Sequence, residues 1–509
     1  MFLQRMYAFI LPAEVSQMKT FRLIGSFIGI AFLFLAAFLG YRAMSVRSFQ
    51  PAPSSEPAIA VDSAIASQRL SEAVCIPTIN TGEGPSSPDE RELLRFHQFL
   101  KTKFPLAHHF LKWEVIGGKS LLYEWPGKSS NRPSLLFAAH MDVVPVDPKS
   151  SGQWKFDAFS GKIAEGFIWG RGTLDDKLCV LALLEAAEIH LKNGFQPAQT
   201  VYFAFGHDEE SGGLYGARQI AETLKTRGVR LEAVIDEGMC IMDGGVPGIA
   251  KPAALIGVAE KRGVSFNLTV QVPGGHSSAP ARENSIHLLA RAVTRIGYNP
   301  FPAEFSAPVR LMLDYFTSEA SYPEKLVFAN FWLFEPLLKR QFLRRAESAA
   351  MLRTTSVATI FQAGVKANVI PEQASAVVNL RLAPGDSATA AGDRLARIIG
   401  DPRVQITPEK EFMKPEPIRV SSPESRIFGI LGRTVRSLFP GTTVAPTLML
   451  AAADARHYEP LAENVYRFIP MVLKPEDIRR THGVNERLSV ENYSQIIKFY
   501  SRVMESASR

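Results

Sequence analysis

The sequence predicts an α/β fold in which a mostly parallel sheet is covered by helices, with an inserted α+β domain and an N-terminal transmembrane helix. Three observations lead to this prediction. Apolar strands and helices alternate between residues 134 and 236, a strictly alternating segment occupies 264–272, and residues 23–41 carry no charge. Strands that alternate with helices are typical of a parallel sheet. A chain of 509 residues, 46% of them apolar, can bury the cores of two or three domains.

The first domain is predicted from three apolar strands and the helices between them. The strands are SLLFAAH at 134–140, TVYFAFG at 200–206 and LEAVID at 231–236. Uninterrupted apolar runs of this length are expected where both faces of a strand are buried. An apolar helix ended by Gly194 separates the first two strands, and a second helix precedes the third. We expect the first segment of this domain to cover residues 68–259.

A second domain is predicted over residues 260–410. VSFNLTVQV at 264–272 alternates apolar and polar residues, as a half-solvated antiparallel strand does. A helix at 283–297, a Phe-rich apolar region at 301–345, two further strands, another helix and the short strand VQIT follow. The chain is then expected to return to the first domain over residues 411–509.

Residues 23–42 are predicted to anchor the chain in a membrane. At about 1.5 Å per residue, an uncharged helix over 23–41 nearly crosses the hydrocarbon core of a bilayer. A cleavable signal peptide is the alternative, but its apolar region is shorter and ends at a small-residue cleavage site. We expect residues 1–22 to precede an uncleaved anchor and the Pro-, Ala- and Ser-rich residues 43–67 to form a tether. The globular body that follows is expected outside the cytoplasm, in a periplasmic, lumenal or extracellular space.

Composition excludes two classes of protein. The three cysteines, Cys75, Cys179 and Cys240, are too few for a disulfide framework, and no two of them form a CxxC pair. The net charge is +7, but the 57 Lys and Arg residues are dispersed among 50 Asp and Glu residues. Because no basic stripe or nucleic-acid-binding motif is present, no nucleic-acid partner is expected.

Groups able to bind metal follow each strand of the first domain. The carboxyl ends of parallel strands meet at one edge of a sheet, so these groups are expected at a common rim. Clustered carboxylates repel one another, and divalent cations are the usual means of holding them together. Mixed histidine and carboxylate ligands suit zinc, with cobalt or manganese as substitutes. The candidates are His140, Asp142, Asp175, Asp176, Glu209, Glu210, Asp236, Glu237 and His482.

Seven motifs occur in a fixed order from about residue 70 to the C-terminus: AAHMDVVPV, WGRGTLDDK, AFGHDEESGG, VIDEG, VPGGHSSAP, KANVIPE and THGVNE. In these motifs the sequence resembles the co-catalytic di-zinc exopeptidases and amidohydrolases, which include aminoacylase and glutamate carboxypeptidase. Within that family it is most similar to carboxypeptidase S and the N-fatty-acyl amino acid hydrolases. The resemblance implies a zinc-exopeptidase-like fold whose inserted domain acts as a lid and a dimerisation surface.

The resemblance also implies two zinc ions per subunit. It makes Asp175 the carboxylate that bridges both metals, and a cis peptide bond is expected between Asp175 and Asp176. One zinc would be bound by His140 together with Asp236 or Glu237, an ambiguity that the adjacent acidic pair leaves open. The other zinc would be bound by Glu210 and His482.

Further roles follow from the same resemblance. Glu209 would be free of metal and act as the general base toward the attacking water. Asp142 would accept a hydrogen bond from the imidazole two residues earlier and fix its tautomer. His276 would stabilise the oxyanion, in some relatives from a partner subunit. Asn368 and Arg456 would bind the substrate backbone and carboxylate.

The function implied is a zinc-dependent hydrolase of the carboxypeptidase or aminoacylase type. It would cleave the amide bond of peptides or N-acyl amino acids that have a free carboxylate, and the same site could run the reverse condensation as a synthase. A non-catalytic membrane-tethered binding protein is the alternative from another class, and Glu209 argues against it. The Phe-rich region is expected to line an apolar wall beside the scissile bond, while His207 and His457 are expected to be structural.

Overall fold

The computed structural model describes residues 7–82, 88–129, 131–246, 248–409 and 418–508, with side chains from residue 23 onward. Residues 1–6 and the expected domain boundary at 410–411 lie outside this part of the chain. The helices within it are α1 (Tyr7–Met44), α2 (Ser63–Val74), α3 (Glu90–Lys103), α4 (Pro105–Phe110), α5 (Lys177–Lys192), α6 (Ala217–Thr226), α7 (Ser285–Tyr298), α8 (Ala307–Thr317), α9 (Tyr322–Ala329), α10 (Phe331–Phe342), α11 (Ala346–Leu352), α12 (Ala388–Ile399), α13 (Arg426–Leu438), α14 (Ala455–Tyr458), α15 (Pro475–Ile478) and α16 (Val490–Ala507). The strands are β1 (Lys112–Ile116), β2 (Ser120–Trp125), β3 (Ser134–His140), β4 (Ile163–Ala164), β5 (Phe167–Trp169), β6 (Val201–Gly206), β7 (Leu231–Met242), β8 (Ala253–Glu260), β9 (Arg262–Gln271), β10 (Gly275–His276), β11 (Thr355–Ala363), β12 (Val369–Ile370), β13 (Gln373–Leu382), β14 (Val404–Pro408), β15 (Thr443–Met449), β16 (Ala462–Leu473) and β17 (Arg487–Ser489).

The largest sheet has eight strands in the order β1-β2-β6-β3-β7-β16-β8-β15. Its central strands β6, β3, β7 and β16 run parallel, and β8 and β15 are parallel to each other. The hairpin β1–β2 adds two antiparallel strands at one edge, and an antiparallel pair joins β16 to β8. The fold is therefore mixed α/β, with the parallel order confirmed at the centre of the sheet.

Both faces of the central strands are covered, as their uninterrupted apolar sequences predicted. Every residue of β3 and β6 is buried. Leu135 and Phe137 of β3 belong to the main core, which they share with α5 and α16. Leu136, whose side chain faces the other way, packs in a second cluster with Leu224 of α6. Helices on both faces therefore hold the strand ends in place.

A smaller antiparallel sheet forms a separate core. Its strand order is β11-β13-β9-β14, and helices α7 and α12 pack against it. The alternating segment is β9, whose Val264, Phe266, Leu268 and Val270 all point into this core. The prediction of an antiparallel, half-buried strand is confirmed, because β9 pairs antiparallel with both β13 and β14.

Helices α8–α11 pack on the main domain, although they lie inside the interval 260–410. Helix α8 contacts β15, and Val309, Met312 and Phe316 belong to the main core. Much of the Phe-rich region 301–345 therefore packs against the main core, whereas Phe301 belongs to the smaller core. Its expected role as a substrate wall, and the domain limits themselves, stay predictions.

Helix α1 extends away from the body, and its described side chains are mostly apolar and exposed. Within the described residues it contains the one stretch, Leu23–Met44, that is long and apolar enough to cross a membrane, with a mean hydropathy of 2.4. Among the described side chains of α1, from Leu23 onward, the buried ones are Leu39, at 9% exposed, and Ala43, at 1%. Length and composition alone support a membrane span here.

The expected tether at 43–67 is packed against the body rather than free. Gln50 donates from Nε2 to the carbonyl oxygen of Val444 at 2.9 Å and accepts from the amide of Val444 at 2.8 Å, as a strand neighbour would. Arg436 donates to the Pro51 carbonyl at 2.7 Å. The Pro-rich chain lacks helical hydrogen bonds. Side chains of the body, such as Arg436, instead form hydrogen bonds with its backbone. Helix α2 begins within this interval, at Ser63.

Candidate metal centre

The carboxyl ends of three parallel strands meet at one rim of the large sheet. His140 is the last residue of β3, and Glu209 and Glu210 form a single 3-10 turn directly after β6. The acidic pair of VIDEG was expected after the third strand, but β7 continues to Met242. The pairing of β7 with β16 is instead irregular between Asp236 and Met239. An irregular strand therefore replaces a strand end at this position.

Asp175 lies between two imidazoles. Its Oδ1 is 2.8 Å from Nε2 of His140, and its Oδ2 is 3.0 Å from Nε2 of His482. The peptide bond between Asp175 and Asp176 is cis, which confirms the prediction from the resemblance. Burial raises the pKa of Asp175, but hydrogen bonds from the two histidines outweigh burial and lower it well below its usual range. One carboxylate thus lies between two imidazoles, with one oxygen facing His140 and the other facing His482.

Two groups of side chains, both of which include His140, converge at the rim. Ligand atoms of His140, Asp175 and Glu210 lie within 4.8 Å of one another, and so do those of His140, Glu209 and Glu237. Oε1 of Glu210 is buried and 3.2 Å from Nε2 of His482, but the approach lacks hydrogen-bond geometry. Histidine nitrogens and carboxylate oxygens at these spacings form the donor set that zinc prefers.

The structure separates the two members of the acidic pair. Oε1 of Glu237 lies 3.3 Å from Nε2 of His140 and so belongs to the cluster. The carboxylate of Asp236 instead accepts hydrogen bonds from the backbone amides of Ala455 at 2.6 Å and of Glu237 at 2.9 Å. Asp236 therefore supports the rim, while Glu237 faces the candidate metal position.

Asp142 supports three neighbours at once. Nδ1 of His140 lies 3.0 Å from its carbonyl oxygen and 3.2 Å from its Oδ1. The backbone amides of Glu209 and Glu210 donate to its two carboxylate oxygens at 3.2 and 3.1 Å. Because Nδ1 is engaged here, Nε2 of His140 is left to face the cluster. One buried carboxylate thus orients a histidine and the turn that carries two glutamates.

Asn80 was missed by the sequence reasoning. It donates from Nδ2 to Asp142 Oδ2 at 2.8 Å. Asn80 lies 62 residues before Asp142 and outside every motif, so no local sequence signal connected the two residues.

Glu486 was also missed, although it lies inside the THGVNE motif. Its Oε1 accepts from the amides of Gly172 and Leu174 at 2.9 and 2.8 Å, and its other oxygen pairs with Arg171. Burial raises the pKa of Glu486 to about 7, against the opposing charge of Arg171. This glutamate shapes the loop that ends in Asp175, and its place four residues after His482 was the available signal.

Burial and neighbouring charge raise the pKa of Glu209 well above its usual range. The loss of solvent is the largest cause, and the charges of Asp454, Glu210 and Asp175 add to it, against the opposing effect of His140. Neither carboxylate oxygen of Asp454 has a hydrogen-bond partner among the described residues. A carboxylate that holds a proton readily is suited to general-base work.

His276 and Asn368 lie at the short antiparallel strand pair β10–β12, which joins two segments far apart in sequence beside the ends of β9 and β13 in the smaller sheet. His276 pairs with Val369, is exposed, and has Nδ1 2.7 Å from Oγ of Ser278. Both residues line an open depression of about 590 Å³. Among the described residues, no hydrogen bond or ion pair joins His276 or Asn368 to the rim.

Arg456, by contrast, lies beside the 3-10 turn that contains Glu209 and Glu210. Its Nη2 donates to the carbonyl oxygen of Gly212 at 2.7 Å, and the same oxygen is 3.0 Å from Nε2 of His457. Burial lowers the pKa of His457 to about 4, so it is neutral under physiological conditions. Arg456 is thus placed near Glu209 and Glu210, at the edge of the rim.

A family comparison decides what this rim belongs to. Residues 136–506 match the model of the peptidase family M20/M25/M40. The chain belongs to this family. The matched region contains each ligand candidate and Glu209, so the predicted resemblance is confirmed, and this M20 chain is a metallohydrolase that cleaves amide bonds.

Individual relatives and solved structures agree with the family. A probable carboxypeptidase S-like protein of Dictyostelium discoideum is 43% identical over 445 residues, covering 87% of this chain and 85% of the relative. The N-fatty-acyl-amino acid synthase/hydrolase PM20D1 of Xenopus tropicalis is 38% identical, covering 86% and 85%. The M20 metallo-carboxypeptidase Sso-CP2 of Sulfolobus solfataricus shares the fold, with a TM-score of 0.65, 17% identity, and coverage of 88% of this chain and 100% of that one.

Proposed function

We propose that this M20 hydrolase is a di-zinc enzyme that cleaves the amide bond of peptides or N-acyl amino acids next to a free carboxylate. The observation that carries the proposal is the position of Asp175, whose two oxygens face His140 and His482 at 2.8 and 3.0 Å. A carboxylate that faces two histidines from its two oxygens is suited to bridging two metal ions.

The donor set divides into two zinc sites that share Asp175. His140 and Glu237 would complete one, and Glu210 and His482 the other. Asp236 is left out, since backbone amides already occupy its oxygens. When bound, zinc supplies Lewis acidity, which acidifies a water nucleophile and polarises a carbonyl. Cobalt or manganese ions accept the same donors and are expected substitutes.

Glu209 is the proposed general base. Its turn is fixed by the bond from its own amide to Asp142, so its carboxylate is held beside the ligands without being needed as one. From this position it can take a proton from the nucleophile and return it to the leaving nitrogen. Such a base is typically worth 10² to 10⁴ in rate.

His276, Asn368 and Arg456 are the proposed substrate contacts. An exposed imidazole at the end of a strand can donate to an oxyanion once the strand pair β10–β12 reaches the rim. The guanidinium of Arg456, next to the turn of Glu209 and Glu210, can hold the free carboxylate of the substrate through two parallel hydrogen bonds. Because no hydrogen bond or ion pair joins β10–β12 to the rim among the described residues, we propose that domain closure or the partner subunit of a homodimer supplies His276 and Asn368.

Synthesis is the second candidate for the same site. The names of the relatives include a carboxypeptidase S-like protein and an N-fatty-acyl-amino acid synthase/hydrolase, so both peptides and N-acyl amino acids are substrates to test. Condensation of a fatty acid with an amino acid uses the same groups in reverse, and its extent depends on concentrations. A non-catalytic binding protein is disfavoured because Glu209 and the ligand set are all present.

We also propose that α1 is an uncleaved anchor and that the body lies outside the cytoplasm. The span Leu23–Met44 is long enough to cross a bilayer. Leu39 and Ala43 are buried against the body, which supports retention of the helix rather than its removal as a signal peptide.

The experiment for the proposed activity uses the full chain in detergent. N-acetyl, N-hexanoyl and N-dodecanoyl phenylalanine, and a Phe-containing dipeptide, are each supplied with a free or amidated carboxylate. Hydrolysis should stop after chelation and return with zinc, cobalt or manganese ions. Amidation of the carboxylate should lower kcat/KM at least tenfold, since one charged hydrogen-bonded contact is worth about 1.5–3 kcal/mol. Full activity of the metal-free chain would overturn the proposal.

A further inference from the structure

Helices α9 and α10 present an unusual apolar surface to solvent. Tyr322 is 57%, Trp332 55%, Leu333 38% and Leu337 57% exposed. Large apolar side chains grouped on one surface mark an interaction site more often than ordinary soluble surface. We call residues 322–344, which comprise α9, α10 and the two residues that follow, the platform.

The platform is fixed to the last turns of α1. Asn330, buried between α9 and α10, donates from Nδ2 to the carbonyl oxygen of Leu39 at 3.0 Å. At Gly40, a Cβ atom would lie 3.6 Å from Oη of Tyr322, so the two helices approach closely. The platform therefore lies beside the point where α1 enters the body.

The length of α1 determines how deep in the bilayer the contact between α1 and the platform lies. A hydrocarbon core of about 30 Å needs about 20 residues of helix. The apolar stretch is bounded on one side by Lys19 and Arg22, and its freely exposed part, residues 23–38, covers only about 24 Å at about 1.5 Å per residue. The rest of the core must be spanned by the turns at 39–43, which contact the platform.

The chemistry of α10 fits the boundary between acyl chains and headgroups. Leu333 and Leu337 are one turn apart on an exposed face, and Arg340 and Arg344 continue it at helical spacing. Arg340 and Arg344 also line an open depression of about 450 Å³. Tryptophan and tyrosine favour this boundary because they have an apolar ring and a polar atom, and arginine extends its charge toward headgroups.

We propose that the platform lies in the bilayer interface, in the leaflet from which α1 enters the body. The occupant is the lipid surface, with anionic headgroups beside Arg340 and Arg344 and acyl chains beside Trp332, Leu333 and Leu337. This inference rests on the proposed anchor and adds to it a second contact. Two contacts hold the body in one orientation on the membrane, whereas α1 alone would let it rotate about the helix axis.

The test uses the tryptophan of the platform as a depth probe. The full chain is reconstituted into vesicles of phosphatidylcholine and phosphatidylglycerol, with or without bromine on the acyl chains, because bromine quenches only nearby tryptophan. The chain has five tryptophans. Brominated lipid should quench the native chain, and Trp332→Phe should remove most of that quenching. Trp113→Phe is the matched control, since Trp113 is 38% exposed on β1, and quenching should persist in it.

The outcomes distinguish the platform from the anchor. If the chains float with vesicles but Trp332→Phe is quenched as much as the native chain, the anchor stands and the platform is overturned. If no chain floats, the anchor fails and the platform with it, while the hydrolase activity is unaffected.

A second copy of the chain is the competing occupant of the platform. Under that alternative, a bifunctional thiol reagent would join Leu337→Cys chains but not chains carrying Leu94→Cys, an exposed position on α3. Such selective joining without bromine quenching would overturn the lipid assignment.

Discussion

The metal rim and the strand pair β10–β12 carry proposed catalytic groups in opposite environments. At the rim, His140 is 1% and Asp142 0% exposed, and each has partners within about 3.2 Å. On the strand pair, His276 is exposed and its side chain bonds locally, to Ser278. The rim belongs to the large sheet, whereas the strand pair lies beside the ends of β9 and β13 in the smaller one.

This difference follows from how each region is assembled. The rim is built by adjacent parallel strands, so folding of one domain brings its ligands together. The strand pair β10–β12 continues from strands of a different core, and under our proposal domain closure or a partner subunit brings it to the rim. Metal binding should therefore need the rim alone, while turnover should need both regions.

The largest expected effect separates two neighbouring roles inside the rim. Glu209→Gln should lower kcat by a factor of 10² to 10⁴ and leave zinc bound, because the amide cannot take a proton. Asp175→Ala should lose zinc as well, since it removes the shared ligand. Metal content by mass spectrometry and kcat are measured on both variants. Equal loss of zinc in the two would mean that Glu209 is a ligand.

Loss of His276 from the strand pair β10–β12 should lower turnover without affecting metal binding. His276→Ala should lower kcat by about 10²- to 10³-fold, as loss of one oxyanion donor does, with zinc content unchanged. His287→Ala, an exposed histidine on α7, is the matched control and should keep full activity. If the partner subunit supplies His276, mixing this variant with Glu209→Gln chains should restore part of the activity. An unchanged kcat would mean that His276 and the strand pair β10–β12 take no part in the reaction.

Acid should act on the buried support of the rim. His207 follows β6, is 1% exposed, and has Nδ1 2.7 Å from Oγ of Ser120. Burial lowers its pKa from 6.5 to about 4, so the unfolded chain binds more protons between these values. The contribution to stability is complete above pH 6.5 and falls by at most about 3 kcal/mol as pH drops to 4.

The measurement is the free energy of unfolding against pH in denaturant. His207→Gln should flatten the acid side of the curve, because glutamine stays neutral. His287→Gln changes an exposed histidine and should keep the native slope. A slope that is the same in all three proteins would show that His207 is not the group responsible.

Much of the rim could be predicted because its information is local. The apolar runs of β3 and β6 identify buried strands, and the residues that follow them must lie at their carboxyl ends. The alternation in β9 likewise reports a strand with one buried face. Each of these patterns depends on residues that are neighbours in sequence.

What could not be predicted depends on contacts between distant segments. Asp236 and Glu237 are adjacent, and only the irregular pairing of β7 and the amide of Ala455 show which one faces His140. The tether appeared free because its composition lacks helical or strand patterns, yet Gln50 bonds to Val444, 394 residues away. Composition describes a segment alone and omits the surface that receives it.

The smallest expected effect concerns Asp142, which supports the rim without touching substrate. Asn has the same shape, but one of its terminal atoms is a donor and would face an amide hydrogen of Glu209 or Glu210. Asp142→Asn should therefore weaken zinc binding by about 10- to 100-fold, as removal of a partner behind a metal-binding histidine does. Asp147→Asn, the same change on an exposed residue of the next loop, is the control and should leave affinity unchanged. Zinc affinity is measured by competition with a chelator of known affinity. A native zinc affinity in Asp142→Asn would mean that the sheet alone orients His140. The geometry of the rim would then depend on its parallel strands even more than the contrast with the strand pair β10–β12 implies.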